Sequence, residues 1–190
     1  MNKFILSFTI LFSPIAALAA DVHCGDVLTK QGTYILKESI VCEKGIVIKG
    51  NDITLDCFTG SAITSDGSSF DPGVTVTNSK NAKISNCVVE KWERGIVVQK
   101  SKGTLVIGTI VQYNTGDGIT LTKSKNGYLN VTSAENEGWG IVVEDSCGDT
   151  TLEQSYVNAN GDGSLLVFNP RGGFVATLDS TLNGDILFDR

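Results

Sequence analysis

A glycine-led repeat with a period of roughly 22–23 residues constrains the fold of this chain more than any other feature of its sequence. A glycine followed by alternating β-branched or aliphatic residues recurs along the chain, at Gly45, Gly73, Gly95, Gly118, Gly140 and, in a weaker copy, Gly163. The spacing is nearly even from Gly73 onward, whereas the step from Gly45 to Gly73 is longer. The longer step predicts an inserted loop within residues 61–72. Repeats of this length bury their apolar faces by stacking on one another.

Two polar columns repeat in the same phase as the glycines. A serine stands six residues after the glycine, at Ser79, Ser101, Ser124 and Ser146. An asparagine ends each of the later repeats, at Asn114, Asn136, Asn160 and Asn183. The apolar alternation has a period of two, and Gly, Asn and Thr are too frequent for helix interiors, so the repeats are predicted to contain β-strands and not helices. These columns predict ladders of side-chain hydrogen bonds between stacked β-strands.

The repeats resemble those of the right-handed parallel β-helix family, which has the pectin-lyase-like architecture. The stretch from Cys24 to Cys42, followed by residues 53–56, resembles the first segment of exported bacterial members. The resemblance implies an all-β fold, a right-handed parallel β-helix (solenoid) of about six rungs, each of roughly 22–23 residues. It also implies one domain over residues 20–190, with a cap segment at 20–44 and rungs at 45–190. Because one scaffold hosts many activities, the resemblance predicts fold and not function.

Residues 1–19 have the pattern of a signal peptide. Lys3 precedes an apolar run, and Ala17 and Ala19 provide the small residues that a signal peptidase reads. No later stretch is long and apolar enough to cross a bilayer. The sequence therefore predicts a secreted or periplasmic protein without a membrane span.

The charge balance is acidic. The sequence has 15 Lys and Arg residues against 21 Asp and Glu residues, for a net charge of −6. Removal of the signal peptide would make it one unit more negative, because Lys3 is the only charged residue there. A nucleic-acid-binding protein is expected to carry a positive surface, so nucleic acid is not a predicted partner.

Five cysteines follow the predicted signal peptide, in a compartment where disulfides persist. Cys24 and Cys42 flank the first strand, and Cys57 and Cys87 stand at matching points of adjacent rungs, so two bridges are predicted in these pairs. Free buried thiols are the alternative. Cys147 is predicted to be exposed and unpaired, or to form an intermolecular bond.

One candidate surface is the column that precedes each glycine. It contains Arg94, Asp117, Trp139, Asp162 and Asp185. Arg94 and Asp117 are catalytic candidates, Trp139 could stack on a sugar ring, and Asp162 with Asp185 could share a calcium ion. The alternative is that Asp precedes Gly because this pair makes good turns.

A second candidate surface is a stripe of lysines beside the serine column. Its members are Lys80, Lys100, Lys102, Lys123 and Lys125. Like charges stacked this closely cost stability unless solvent or a polyanion screens them. An acidic polysaccharide is a predicted ligand, and solvated turn lysines are the alternative. The sign of the charge reverses in the next rung at Glu144 and Asp145.

The sequence indicates two further candidate surfaces. The loop at 61–72, with Trp92 and Glu93, could form the rim of a groove. The last rung ends in an apolar strand around Phe188, which predicts an end-to-end homo-oligomer through an unpaired strand edge.

Two classes of function remain open from the sequence. The favoured one is a non-catalytic exported β-helix that binds a glycan or cell-envelope component, or has a structural role. The alternative is a polysaccharide lyase or hydrolase acting on an acidic polysaccharide. Enzymes of the resembled architecture cluster several acidic residues with a basic residue or a histidine, and Arg94 beside Asp117 is the only such fragment here. No cofactor is predicted, apart from the possible calcium ion.

Overall fold

The computed structural model describes residues 20–68, 70–145, 149–168 and 175–189. In these residues the chain winds into a right-handed parallel β-solenoid of about seven turns. Strands of successive turns pair in parallel, as in the pairing of Ile96 with Ile119 and of Ile119 with Ile141. The predicted all-β parallel β-helix is confirmed. Residues 1–19, the predicted signal peptide, lie outside the described residues, as do Cys147 and Ser146, the last serine of the predicted column.

One face of the solenoid is an eight-stranded sheet. Its strands are β2 (Val27–Leu28), β5 (Ile46–Ile48), β8 (Val74–Thr77), β11 (Ile96–Gln99), β13 (Ile119–Thr122), β15 (Trp139–Glu144), β18 (Gly163–Phe168) and β21 (Ile186–Asp189). These strands contain the apolar alternation that follows each repeat glycine. The sheet therefore runs the length of the solenoid.

The other strands form a second, 13-stranded sheet. They are β1 (Ala20–Asp21), β3 (Gly32–Leu36), β4 (Ile40–Cys42), β6 (Ile53–Cys57), β7 (Ala62–Ser65), β9 (Lys83–Ser85), β10 (Val88–Glu90), β12 (Leu105–Gln112), β14 (Tyr128–Ala134), β16 (Thr150–Glu153), β17 (Tyr156–Asn158), β19 (Val175–Leu178) and β20 (Thr181–Asn183). The one helical element described is a 3-10 turn at Phe58–Gly60. No described helix is long and apolar enough to cross a membrane.

The segment 20–44 forms a turn of the solenoid. Its strands β2, β3 and β4 pair with β5, β6 and β7 of the next turn. The predicted insertion at 61–72 is wrong in part, because Ala62–Ser65 is the paired strand β7. The extra residues of the long repeat lie on both sides of β7. Periodicity showed the extra length but could not show where in the turn it falls.

Stacked aliphatic side chains form the core. Ile96, Ile119 and Ile141 pair in register across three turns, and all three are fully buried. Burial of one such side chain contributes roughly 1.5–3 kcal/mol relative to exposure. The predicted column of isoleucines is confirmed.

The repeat glycines stand where neighbouring turns leave no room for a side chain. A Cβ atom on Gly95 would lie 2.6 Å from the carbonyl oxygen of Gly118. A Cβ atom on Gly118 would lie 2.7 Å from the carbonyl oxygen of Gly140. Each glycine thus permits the close approach of the next turn, which explains why glycine recurs in phase.

Two bridges connect the first turns, as predicted. Cys24 is bonded to Cys42 with a Cα–Cα distance of 5.3 Å, and Cys57 is bonded to Cys87 with a Cα–Cα distance of 4.7 Å. Cys57 and Cys87 are fully buried, whereas Cys24 is exposed.

The register changes near the C-terminal end. Ile141 pairs with Leu165, so Ser164 rather than Gly163 stands opposite Gly140. Asn158 pairs with Asn183, and Leu165 pairs with Ile186. The connection between these two paired strands is therefore four residues shorter in the last turn than in the turn before it. Asn183 therefore does not continue the asparagine column as predicted.

Candidate ligand-binding site

The five predicted lysines line one open trough on the surface of the solenoid. The lining residues are Asn51, Asn78, Ser79, Lys80, Lys100, Ser101, Lys102, Lys123 and Lys125, and the trough encloses about 460 Å³. We call this surface the lysine trough. The structure thus brings together all five lysines of the predicted stripe.

Two parallel columns at one corner of the solenoid build the trough. In the first column, the backbones of Lys80, Lys102 and Lys125 pair as neighbours in successive turns, and Asn51 precedes them. Adjacent members are therefore about 4.8 Å apart along the solenoid axis. The repeat places a lysine in this position three times in succession.

The second column occupies the residue at which the chain turns the corner. Asn78, Lys100, Lys123 and Asp145 all have left-handed backbone conformations, with φ values of 49°, 49°, 52° and 55°. The amide nitrogens of Lys100 and Lys123 donate hydrogen bonds to Thr122 and Glu144 of the following turn. Asparagine and aspartate adopt this conformation more readily than lysine does. The backbone conformation therefore does not explain why lysine occupies positions 100 and 123.

Buried serines hold the turns in register beneath the lysines. The amide of Ser79 donates a 3.1 Å hydrogen bond to the hydroxyl oxygen of Ser101, and the amide of Ser101 donates a 3.2 Å bond to Ser124. The hydroxyl of Ser79 donates to the carbonyl oxygen of Gly50. The predicted serine ladder is confirmed for these turns, although it joins side chain to backbone rather than side chain to side chain.

The positive charge of the trough is largely uncompensated. Among the ion pairs of the described residues, only Lys123 contributes from the trough, with its Nζ atom 3.5 Å from Oδ2 of Asp145. Two unit charges one strand spacing apart repel by on the order of 1 kcal/mol in water. The acidic chain therefore concentrates unfavourable positive charge at one place on its surface.

The two ends of the trough differ in charge. Asn51 and Asn78 line the end toward the N-terminal turns. At the other end, Asp145 follows Lys123 in the corner column, and the Glu144 carboxylate accepts a 3.2 Å hydrogen bond from Thr122. The sequence predictions did not include Asn51 and Asn78, although their corner positions in the repeat place them in these columns.

The pre-glycine column has a different geometry. The backbone N–H of Trp139 donates a 2.9 Å hydrogen bond to Oδ1 of Asp117, so this carboxylate ties two turns together. Burial raises the pKa of Asp117 above its ordinary value of 3.8, while the Trp139 hydrogen bond and the charge of Arg94 act in the opposite direction. The negative charge of Asp162 raises this pKa further.

Trp139 packs against the next turn of the solenoid. It pairs with Gly163, and a Cβ atom on Gly163 would lie 2.5 Å from Cζ3 of the Trp139 ring. Part of the Trp139 indole therefore contacts the backbone at Gly163. The use of this ring as a sugar platform stays a prediction.

Asp162 and Asp185 do not stand at paired positions of neighbouring turns, and their sharing of a calcium ion stays a prediction. Asp162 lies at the corner where the last turn is four residues shorter, and Asp185 stands beside Ser164, whose amide donates to its carbonyl oxygen. The described residues contain no group of three or more His, Cys, Asp or Glu residues that could hold a metal ion.

The prediction that Trp92 contributes to the rim of a groove is wrong. Trp92 is fully buried, and its indole Nε1 donates a 2.9 Å hydrogen bond to the carbonyl oxygen of Ile63. The side chain fills the core beside Gly73, where there is no Cβ atom. The position of Trp92 in the repeat did not indicate that its side chain points into the core.

The chain belongs to the family described as the right handed beta helix region, whose family model matches residues 28–180. No curated protein matches the sequence.

Two solved structures are similar to this chain at low sequence identity. The catalytic domain of a GH87 α-1,3-glucanase in complex with nigerose is 11% identical, with a TM-score of 0.37, over 87% of this chain and 41% of that domain. The A-module of the mannuronan C-5 epimerase AlgE4 from Azotobacter vinelandii is 11% identical, with a TM-score of 0.31, over 85% of this chain and 68% of that module. The chain thus spans about two fifths of the length of the glucanase domain.

Proposed function

We propose that the protein is an exported, non-catalytic β-helix that binds an acidic polysaccharide or envelope glycan in the lysine trough. The observation that carries the proposal is the trough itself. Five lysines from three successive turns line one surface of a protein whose net charge is −6. A positive site of this kind on an acidic protein is explained by an anionic ligand better than by solubility.

The chemistry of the trough suits a chain of carboxylated sugars. Lysine ammonium groups bind carboxylates as point charges and tolerate variation in their orientation. The amides of Asn51 and Asn78 can donate to and accept from hydroxyl groups at the neutral end. Because the site is open to solvent, its binding should weaken steeply with ionic strength.

The test compares two triple variants with the same change in net charge. The trough variant carries Lys80→Gln, Lys102→Gln and Lys125→Gln. The matched control carries Lys30→Gln, Lys44→Gln and Lys91→Gln, which replace exposed lysines outside the trough.

The expected result is binding of polygalacturonate by the unmodified protein and by the control, with at least a tenfold loss in the trough variant. Isothermal titration at low and high salt measures this. Equal affinities of the two variants would contradict the proposal, because binding would then follow net charge alone.

The second candidate function is a polysaccharide lyase or hydrolase at the pre-glycine column. The raised pKa of Asp117 and the nearby charge of Asp162 favour it, because perturbed carboxyl groups cluster at active sites. Against it, Oδ1 of Asp117 already accepts the hydrogen bond from Trp139. Unsaturated or reducing-end products that disappear in Asp117→Asn and in Arg94→Ala would establish the enzyme.

Three further predictions stay proposals. Export fits the presence of two disulfides, which persist in oxidising compartments. Calcium binding at Asp162 or Asp185 is testable by the melting temperature with calcium and with chelator.

The third concerns association between copies. Strand β21 exposes Ile186, Leu187 and Phe188, and β2 at the opposite edge of the same sheet exposes Val27. A second copy stacked head to tail would cover both edges, and sedimentation over a range of concentrations tests this.

A further inference from the structure

We infer that Asp145 limits the length of anionic chain that the lysine trough accepts. This inference rests on the proposed function and adds a selection for ligand length. Asp145 occupies the corner position that Lys100 and Lys123 occupy in the two preceding turns. The same column that supplies positive charge therefore ends in a negative charge.

The stacking geometry sets the direction of the ligand. Positive charges repeat along the solenoid axis in steps of about one strand spacing, 4.8 Å, because their backbones pair turn upon turn. Across the trough there are only two columns. A linear polyanion therefore gains most contacts when it lies along the axis, over the three turns that carry lysines.

Asp145 opposes any extension of such a chain beyond these turns. A further anionic group on the ligand would meet the carboxylate of Asp145, where earlier groups met an ammonium. Repulsion between two unit charges about 4 Å apart in water corresponds to about a fivefold loss of affinity. The ligand therefore gains affinity for each added unit only while it remains within the lysine turns.

Asp145 also reduces the charge available to the ligand at the last lysine. Its Oδ2 atom lies 3.5 Å from Nζ of Lys123. A ligand carboxylate that binds Lys123 must share the ammonium with this internal partner. Removal of the Asp145 charge should therefore strengthen binding at the end of the trough and extend it.

The backbone conformation at Asp145 is compatible with this change. Asp145 has a φ of 55°, a left-handed conformation that asparagine adopts readily. Lysine is tolerated in the same conformation at Lys100 and Lys123, with φ values of 49° and 52°. Asp145→Asn removes the negative charge at this position. Asp145→Lys replaces it with a positive charge and so continues the lysine column by one turn. Circular dichroism and melting temperature verify that each variant is folded.

The experiment measures the affinity of oligogalacturonides of increasing length for the full chain and its variants. For the unmodified protein, affinity should rise with length and reach a plateau at about one anionic unit for each of the three lysine turns. Asp145→Asn should move the plateau to longer chains, and Asp145→Lys should raise the affinity of those chains at least fivefold. Glu137→Gln, an equal charge change at an exposed residue outside the trough, should leave the plateau unchanged.

The outcomes separate this inference from the proposed function. If the oligomers bind and the trough variant loses binding, but Asp145→Asn and Asp145→Lys leave the plateau in place, Asp145 does not limit ligand length. If Glu137→Gln moves the plateau as far as Asp145→Asn does, the effect is one of net charge and the inference is wrong. If the unmodified protein binds none of the oligomers, the proposed function and the inference both fail.

Discussion

The Nδ2 atom of Asn114 donates a 2.7 Å hydrogen bond to the Oδ1 atom of Asn136 in the next turn. Both side chains are buried, so the contact lies within the solenoid rather than on its surface. Asn136 in turn donates a 2.9 Å bond to Asn160. The predicted asparagine ladder is confirmed for these three turns, and each member satisfies polar groups of its neighbour.

Replacement of Asn136 by alanine should destabilise the protein by about 2–6 kcal/mol. The change leaves the amide nitrogen and the Nδ2 atom of Asn114 without their acceptor in a buried site, where each unsatisfied group costs about 1–3 kcal/mol. Urea denaturation measures the loss. Asn183→Ala, at an exposed asparagine, is the control and should change stability by less than about 0.5 kcal/mol. Equal losses in both variants would contradict the ladder as a source of stability.

The two disulfides should differ in their resistance to reduction. Cys24 is exposed, whereas Cys57 and Cys87 are fully buried, so a mild reductant reaches only the first bridge in the folded protein. Alkylation followed by mass spectrometry, in a Cys147→Ser background, measures the order. Simultaneous loss of both bridges without denaturant would show that the buried bridge is accessible.

Removal of the buried bridge should be costly. Cys57→Ala with Cys87→Ala should lower the free energy of unfolding by about 2–5 kcal/mol, because the bridge closes a loop of 30 residues. Denaturation with the Cys24–Cys42 bridge intact measures this. A loss below about 1 kcal/mol would mean that the stacked turns hold this region without the bridge.

Asp117 should make the protein less stable as the pH rises. Its pKa is raised in the folded state, so the folded protein binds more protons than the unfolded protein above pH 3.8. Stability from this group is therefore present at low pH and declines as the pH rises through the folded pKa. Asp117→Asn keeps an oxygen that can accept the Trp139 hydrogen bond and removes the charge.

The difference in stability between Asp117→Asn and the unmodified protein tests this effect. It should shift in favour of the variant as the pH increases from 3.8, in denaturation curves measured across the acidic range. A difference that does not change with pH would contradict a raised pKa for Asp117.

Neutralisation of Lys102 should stabilise the free protein at low ionic strength. Lys102 pairs with Lys80 and Lys125 in neighbouring turns, so Lys102→Gln removes repulsion of up to about 1 kcal/mol in water. The gain should disappear at high salt because the charges are then screened. Lys91→Gln, outside the trough, is the control and should show no such salt dependence. A destabilised Lys102→Gln variant at low salt would contradict uncompensated charge in the trough.

The periodic part of the structure could be predicted from the sequence. Ile96, Ile119 and Ile141 recur with the glycines, and a repeat of this length buries them only when its turns stack. The lysine columns follow from the same phase, because residues at equal distances from the repeat glycine lie beside each other after stacking. The disulfide between Cys57 and Cys87 follows from the same reasoning.

The places where the period fails could not be predicted. The one-residue shift at Ser164 and the shorter last turn take Asp162 and Asp185 out of register with each other, and neither change is a property of the residue types alone. The sequence by itself determined the stack and the five lysines of the lysine trough, because residues at equal distances from the repeat glycine take equivalent positions in successive turns. Only the tertiary structure decided that Trp92 points into the core and that Asp117 is held by Trp139, because side-chain direction and corner length depend on how each turn packs on the next.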